Sequence, residues 1–284
     1  MSAFIDYLLV GIATGCTFAL LGTGFVAIHR VTRVVNFAQG AFAVLGGFFA
    51  ETLLSHGLPH GLAEVLAVVA AGGVGLLCGL VALGWGRVPV MASLVITLGL
   101  SIIAEAVTLL IWGGTPISYP GLGGRDLVIL GAQLQPQYLL LIVVTVVVLA
   151  GLAAWFRWTN LGRALTACAS NPYAARLVGI DLNRMGLLAF ALGGMLGGLA
   201  GVLMTPLIPM TYDGDVQLAI NGFAAAICGG LVNPVGALVG GLVLGIGEQM
   251  VAGYWQASAE TGVALVVLLG LLLWQALRER ETMS

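Results

Sequence analysis

Lysine is missing from all 284 residues, so the ten cationic side chains are arginines. This excludes a phosphate-binding loop of the Gly-x4-Gly-Lys-Ser/Thr type, whose lysine must reach the phosphates. If the chain works with ATP, another chain hydrolyses it. Charge of either sign is scarce. Only 8% of residues are charged against 60% hydrophobic, and the mean hydropathy is +1.09. A soluble domain of this length carries charge on about a quarter of its residues. The composition therefore specifies an integral membrane protein. Formal net charge is −2 and no basic tract occurs, which excludes nucleic acid as a partner. The four cysteines (Cys16, Cys78, Cys168, Cys228) have no CxxC spacing and read as small packing residues, with no metal framework. His29, His56 and His60 all fall at the ends of apolar runs, and neither HExxH nor GxSxG occurs, so nothing marks an intramembrane enzyme.

Apolar runs and glycine are plentiful. The runs cover 4–28, 36–55, 62–85, 90–112, 137–156, 185–207, 217–232, 235–254 and 261–277. Most are long enough to cross a bilayer, predicting an all-α bundle of about eight or nine transmembrane helices in one domain, residues 1–284. The first run lacks a basic leader and a small-residue cleavage site, and so reads as a retained helix. Glycine, 43 residues, is about twice its usual share and favours close helix contacts. Breaks between runs carry turn residues such as Asp213-Gly-Asp215 and Asn233-Pro234, and 113–136 is a Pro/Gly-rich loop. If every run crosses once, all arginines except Arg125 share one side, which places the N-terminus outside and the C-terminus in the cytoplasm. The runs 217–232 and 235–254 fit either two crossings or a re-entrant hairpin.

The longest polar interruption is 157–184, RWTNLGRALTACASNPYAARLVGIDLNR, which holds Arg157, Arg163, Arg176 and Arg184. Thr159 or Asn160 is suited to cap a short helix with Leu161, Leu165 and Cys168 on one face. Asn171-Pro172 then stops it and starts a second helix, which Gly179 ends in a left-handed conformation. Two short helices with an apolar face and basic ends predict a docking surface on the cytoplasmic side.

Polar groups within the apolar runs are costly in hydrocarbon and mark either helix-packing hydrogen bonds or a solute path. They are Thr14, Thr17, Asn36, Gln39, Thr97, Ser101, Glu105, Asn221 and Glu248. Thr97, Ser101 and Glu105 are spaced i, i+4, i+8 and share one helical stripe. Glu105 leans toward path lining; Glu248, near a helix end, toward packing.

Three stretches in order resemble the permease subunits of bacterial ABC importers for branched-chain amino acids. Asn36, Phe37, Ala38, Gln39 and Gly40 are similar to that family's Asn-Phe-Ala-(His or Gln)-Gly element. Gly162-Arg163-Ala164, Ala174-Ala175 and Gly179-Ile180 resemble its cytoplasmic coupling segment. Gly229-Gly230, Gly236-Ala237, Gly240-Gly241, Gly245 and Glu248 resemble its C-terminal glycine pattern. Leu231-Val232-Asn233-Pro234 departs from the family's Gly-Ser turn. Glu105 stands where a neutral residue is expected. The resemblance implies an ABC importer permease fold in a bacterial inner membrane. It further implies two cytoplasmic ATPase subunits holding ATP and Mg, a second permease subunit, a periplasmic solute-binding protein and no cofactor on this chain. It assigns ATPase coupling to Gly162, Arg163, Ala164, Leu165, Pro172, Ala174, Ala175, Arg176 and Gly179, with the short helices' apolar face turned into a groove of the ATPase. Asn36, Gln39, Thr97, Ser101, Glu105, Asn221 and Glu248 are the candidate path residues. An ion-coupled secondary transporter using Glu105 is the alternative, and a non-transporting scaffold a third reading.

Overall fold

The structure is a computed structural model that describes residues 2–84, 89–121, 127–129 and 132–254, together with positions 262, 266, 269 and 270. Ten helices succeed one another among these residues: α1 Ser2–Thr32, α2 Gln39–Ser55, α3 Leu62–Leu83, α4 Val90–Trp112, α5 Pro136–Trp158, α6 Asn160–Ser170, α7 Pro172–Leu177, α8 Leu182–Met204, α9 Asp215–Cys228 and α10 Pro234–Tyr254. The glycine-rich loop before α5 carries a two-stranded antiparallel hairpin, β1 Leu127–Ile129 and β2 Ala132–Leu134, with Val128 opposite Gln133. The run 261–277 lies largely outside the described residues, as do Arg87, Arg125, Arg278 and Arg280.

Six of these helices, α1, α3, α4, α5, α8 and α10, are long and apolar enough to cross a membrane. The expected eight or nine spans therefore correspond to six full spans among the described residues plus shorter pieces. α2 has 17 residues and α9 only 14. At 1.5 Å per residue α9 is about 21 Å long, short of a hydrocarbon core of about 30 Å. Its first residue, Asp215, meets Ser101 at the middle of α4, and the turn that follows its last residue reaches the end of α1, where Leu231 O lies 3.2 Å from His29 Nδ1. The run 217–232 is thus a half-depth helix, and the 21-residue α10 is the full span that follows it. Leading into α9, residues 205–214 dip inward from a backbone bridge between Met210 and Ile117. Non-helical backbone at such depth is tolerated where protein surrounds it.

Glycine sets how closely the spans approach. A Cβ on Gly15 would stand 2.8 Å from Leu242 Cα of α10, and one on Gly194 would stand 3.0 Å from Gly75 Cα of α3. A Cβ on Gly201 would overlap the Ala43 carbonyl of α2. Backbone-to-backbone contacts of this kind hold membrane helices together where lipid offers no hydrophobic gradient. The core they enclose includes Phe25, Phe42, Phe48 and Phe190, all fully buried. Much of α4 instead exposes its apolar side chains, among them Val95, Ile102, Leu110 and Ile111, as a lipid-facing surface does.

Candidate translocation site and coupling surface

α4 turns one narrow polar edge toward the protein: Ser93, Thr97, Ser101 and Thr108 are buried along it. The Thr97 hydroxyl accepts a hydrogen bond from the backbone N–H of Phe37 at 3.3 Å and donates to Leu94 O at 3.0 Å. Ser101 Oγ donates 2.5 Å to Asp215 Oδ2. Those two contacts fasten α4 to the start of α2 and the start of α9. The same two helix starts also press on each other, because a Cβ on Gly40 would overlap the Asp215 carbonyl. Two helix N-termini, each with unsatisfied N–H groups and a positive dipole end, therefore converge deep in the bundle.

Asn36 and Gln39 bracket the break between α1 and α2, and both are fully buried. Asn36 Oδ1 accepts from Ala38 N at 3.2 Å and from Cys78 Sγ at 3.9 Å, while Gln39 Nε2 donates 2.8 Å to Gly193 O of α8. A second polar line runs along α9. Gln217 Nε2 donates to Asn221 Oδ1 at 3.2 Å, and Asn221 Nδ2 to Glu248 Oε2 at 3.5 Å. Glu248 is thus buried against α9. At the end of the bundle carrying Arg30, Arg33 and α7, a cavity of about 540 Å³ is lined by Thr32, Ser93, Arg176 and Asn183. Ser93 belongs both to this cavity and to the polar edge of α4.

Six of the seven predicted path residues are therefore buried on these elements. Glu105 is different: it is half-exposed and makes no hydrogen bond or ion pair with the described residues. The carboxylate that meets the α4 stripe is Asp215, which sequence reasoning took for a turn residue. Gln217 and the buried Ser93 were also missed. The i, i+4 spacing of Gln217 and Asn221 was the available signal.

The loop 157–184 folds as its caps predict. Thr159 Oγ1 accepts from Gly162 N at 3.0 Å to start α6, and Asn171 Oδ1 accepts from Ala174 N at 3.0 Å to start α7 with Pro172 at its first position. Gly179, at φ 85°, ends α7 with paired bonds from Gly179 N to Arg176 O and from Ile180 N to Ala175 O, both 3.0 Å. The direction of the apolar face differs from expectation. Leu165, Cys168 and Ala175 are buried against Val31, Met185 and Ala189, so that face is turned into the chain's own bundle. Gly162 is buried too; a Cβ there would overlap the Trp155 carbonyl. Ala164 and Pro172 are half-buried, while Arg163, Ala174, Arg176 and Gly179 are exposed. The open side also displays Tyr173, Leu177 and Val178, each more than 70% exposed. Arg33 ties this elbow to α1 by donating 3.1 Å to Ala169 O.

A multi-pass helical bundle with broken helices, a buried polar line and an exposed basic elbow defines a membrane-embedded transport subunit. Over residues 7–274 the chain matches the family described as the branched-chain amino acid transport system permease component, and it belongs to that family. It is similar to the high-affinity branched-chain amino acid transport system permease protein LivH of Escherichia coli K12, at 28% identity over 95% of this chain and 93% of that protein. The probable branched-chain amino acid transport permease protein LivH of Methanocaldococcus jannaschii is 31% identical, over 89% of this chain and 85% of that one. Among solved structures, PsaBC from Streptococcus pneumoniae in complex with Fab superposes with a TM-score of 0.55, covering 95% of this chain and 91% of that one. At 12% identity that likeness concerns the fold alone.

Proposed function

We propose that this chain is the membrane-spanning subunit of an ATP-binding-cassette importer. It passes branched-chain amino acids, or a related small polar solute, into the cytoplasm along the polar edge of α4. The reading is carried by one observation: family membership across nearly the whole chain coincides with a buried polar line ending at a polar cavity beside the elbow. The whole chain acts as a single permease domain. It works beside a second permease subunit and two cytoplasmic ATPases that hold ATP and its magnesium, and a periplasmic binding protein supplies the solute. The lack of lysine agrees with ATP hydrolysis on a separate chain.

The N-terminus lies outside and the elbow in the cytoplasm, a reading that the arginine distribution supports. Arg163, Ala174 and Arg176, joined by the exposed Tyr173, Leu177 and Val178, are the residues that touch the ATPase. Gly162, Leu165 and Ala175 hold α6 and α7 against the bundle, so a displacement of the elbow is passed to α1 and α8 through packed side chains. The test is reconstitution of the chain with its ATPases and second permease in liposomes. Leucine should accumulate only with ATP inside and binding protein outside. Accumulation by this chain alone under an ion gradient would overturn the reading.

A further inference from the structure

Asp215 is 3% exposed, and its two carboxylate oxygens have unequal surroundings. Oδ2 accepts the 2.5 Å bond from Ser101, whereas Oδ1 meets no hydrogen-bond partner among the described residues. Among those residues the close cation–carboxylate contacts are Arg184 with Asp181 and the imidazole of His60 with Glu64, so none of their cationic side chains pairs with Asp215. A buried carboxylate with an open oxygen is costly unless a cation or further donors meet it. The start of α9 offsets part of that cost, because the helix dipole favours a negative group in its first turn. Intramembrane ionisable residues placed on a polar line mark solute pathways. This one lies halfway along α4, one turn from Thr97 and two from the cavity-lining Ser93.

We propose that Asp215 is the ammonium-recognising group of this path, a role that rests on the importer reading given above. The protonated amino group of a passing solute hydrogen-bonds to Oδ1, while Ser101 holds the carboxylate through Oδ2. A solute of the same shape without an amino group leaves Oδ1 unmatched and is rejected at this depth. The negative charge on which solute choice depends is then that of Asp215, and Glu105 has no part in it.

Binding to the purified full-length chain in lipid nanodiscs tests the assignment. The probes are radiolabelled leucine and 4-methylpentanoate, the same carbon skeleton without the amino group. Wild type should retain leucine and not the acid. Asp215→Asn should lower leucine retention by at least about tenfold, the scale of one hydrogen bond to a charged group, and Asp215→Glu should recover part of it. Equal leucine retention by wild type and Asp215→Asn overturns the proposal. So does equal retention of acid and leucine by wild type, or no retention of either. If Asp215→Asn does not elute as a folded chain, Ser101→Ala serves instead. It keeps the charge but frees Oδ2, and an unchanged leucine affinity there also counts against the assignment.

Uptake by the reconstituted importer separates the two readings. ATP-driven leucine uptake that is equal in wild type and Asp215→Asn removes the site and leaves the importer. Amine-selective binding without ATP-driven uptake removes the importer and leaves the site.

Discussion

α4 and α8 are both 23-residue helices of almost wholly apolar sequence, and they live in opposite surroundings. α8 is enclosed by α1, α2 and α3, with Gly193, Gly194, Gly197, Gly198 and Gly201 all buried. α4 carries only Gly99, beside which nothing lies within 4 Å, and it buries just its four hydroxyl-bearing positions. Hydropathy does not tell such helices apart. The spacing of small residues does, because a helix surface without side chains is useful only where another backbone comes up to it. The elbow repeats the contrast within a few residues: Leu165 and Cys168 face the bundle, while Tyr173 and Leu177 face outward.

The largest effect that would break this comparison comes from adding volume to α8. Gly201→Val sets a branched Cβ on top of the Ala43 carbonyl and should abolish recovery of a monodisperse protein by size-exclusion chromatography. Gly99→Ala on α4 should elute as wild type. Next comes the outer face of the elbow. Arg163→Glu with Ala174→Asp should abolish ATP-driven uptake and weaken co-purification of the ATPase, with the thermal melt unchanged. Retained uptake in that double variant would move the docking surface elsewhere.

A smaller effect sharpens the elbow's own contrast. Asn171→Ala removes a helix cap, costing about 1 kcal/mol, and should speed amide exchange at Ala174. Labelling at pH 7 by a maleimide then separates the two faces. Burial pushes the Cys168 thiol up, so the reactive thiolate is scarce below that raised value, and Cys168 should stay unlabelled while Ala174→Cys reacts. The least effect belongs to Glu105→Gln, which should leave leucine uptake within about twofold of wild type, since no side chain among the described residues holds that carboxylate.

The caps of α6 and α7, Pro172 at a helix start and Gly179 in a left-handed turn were legible because each depends on atoms within four residues. The apolar runs were legible for a similar reason: local composition alone reports them. What a face meets was not legible. The stripe of α6 is amphipathic whether it covers an ATPase or the chain's own core, and only the folded bundle shows Leu165 against Val31 and Met185. Asp215 was read as punctuation because Asp-Gly-Asp looks like a surface turn. Its burial follows from where the short α9 begins, against Ser101 at the middle of α4. Glu105 was singled out for sitting mid-run on the Thr97–Ser101 stripe, but the stripe drifts off the contact by that turn.

The sparse attachment of α4 also bears on how the protein moves. Its outer face is already exposed and apolar, so swinging the helix away from α9 would uncover little new apolar surface on that side. Along that seam the swing must release the hydroxyl contacts at Thr97 and Ser101, while the glycine-knitted α1–α8–α10 block stays intact. The two ends of α4 keep their own ties, Ser93 Oγ donating 2.9 Å to Ala82 O of α3 and Trp112 Nε1 donating 2.6 Å to Thr52 Oγ1 of α2, so a swing at its middle would pivot between them.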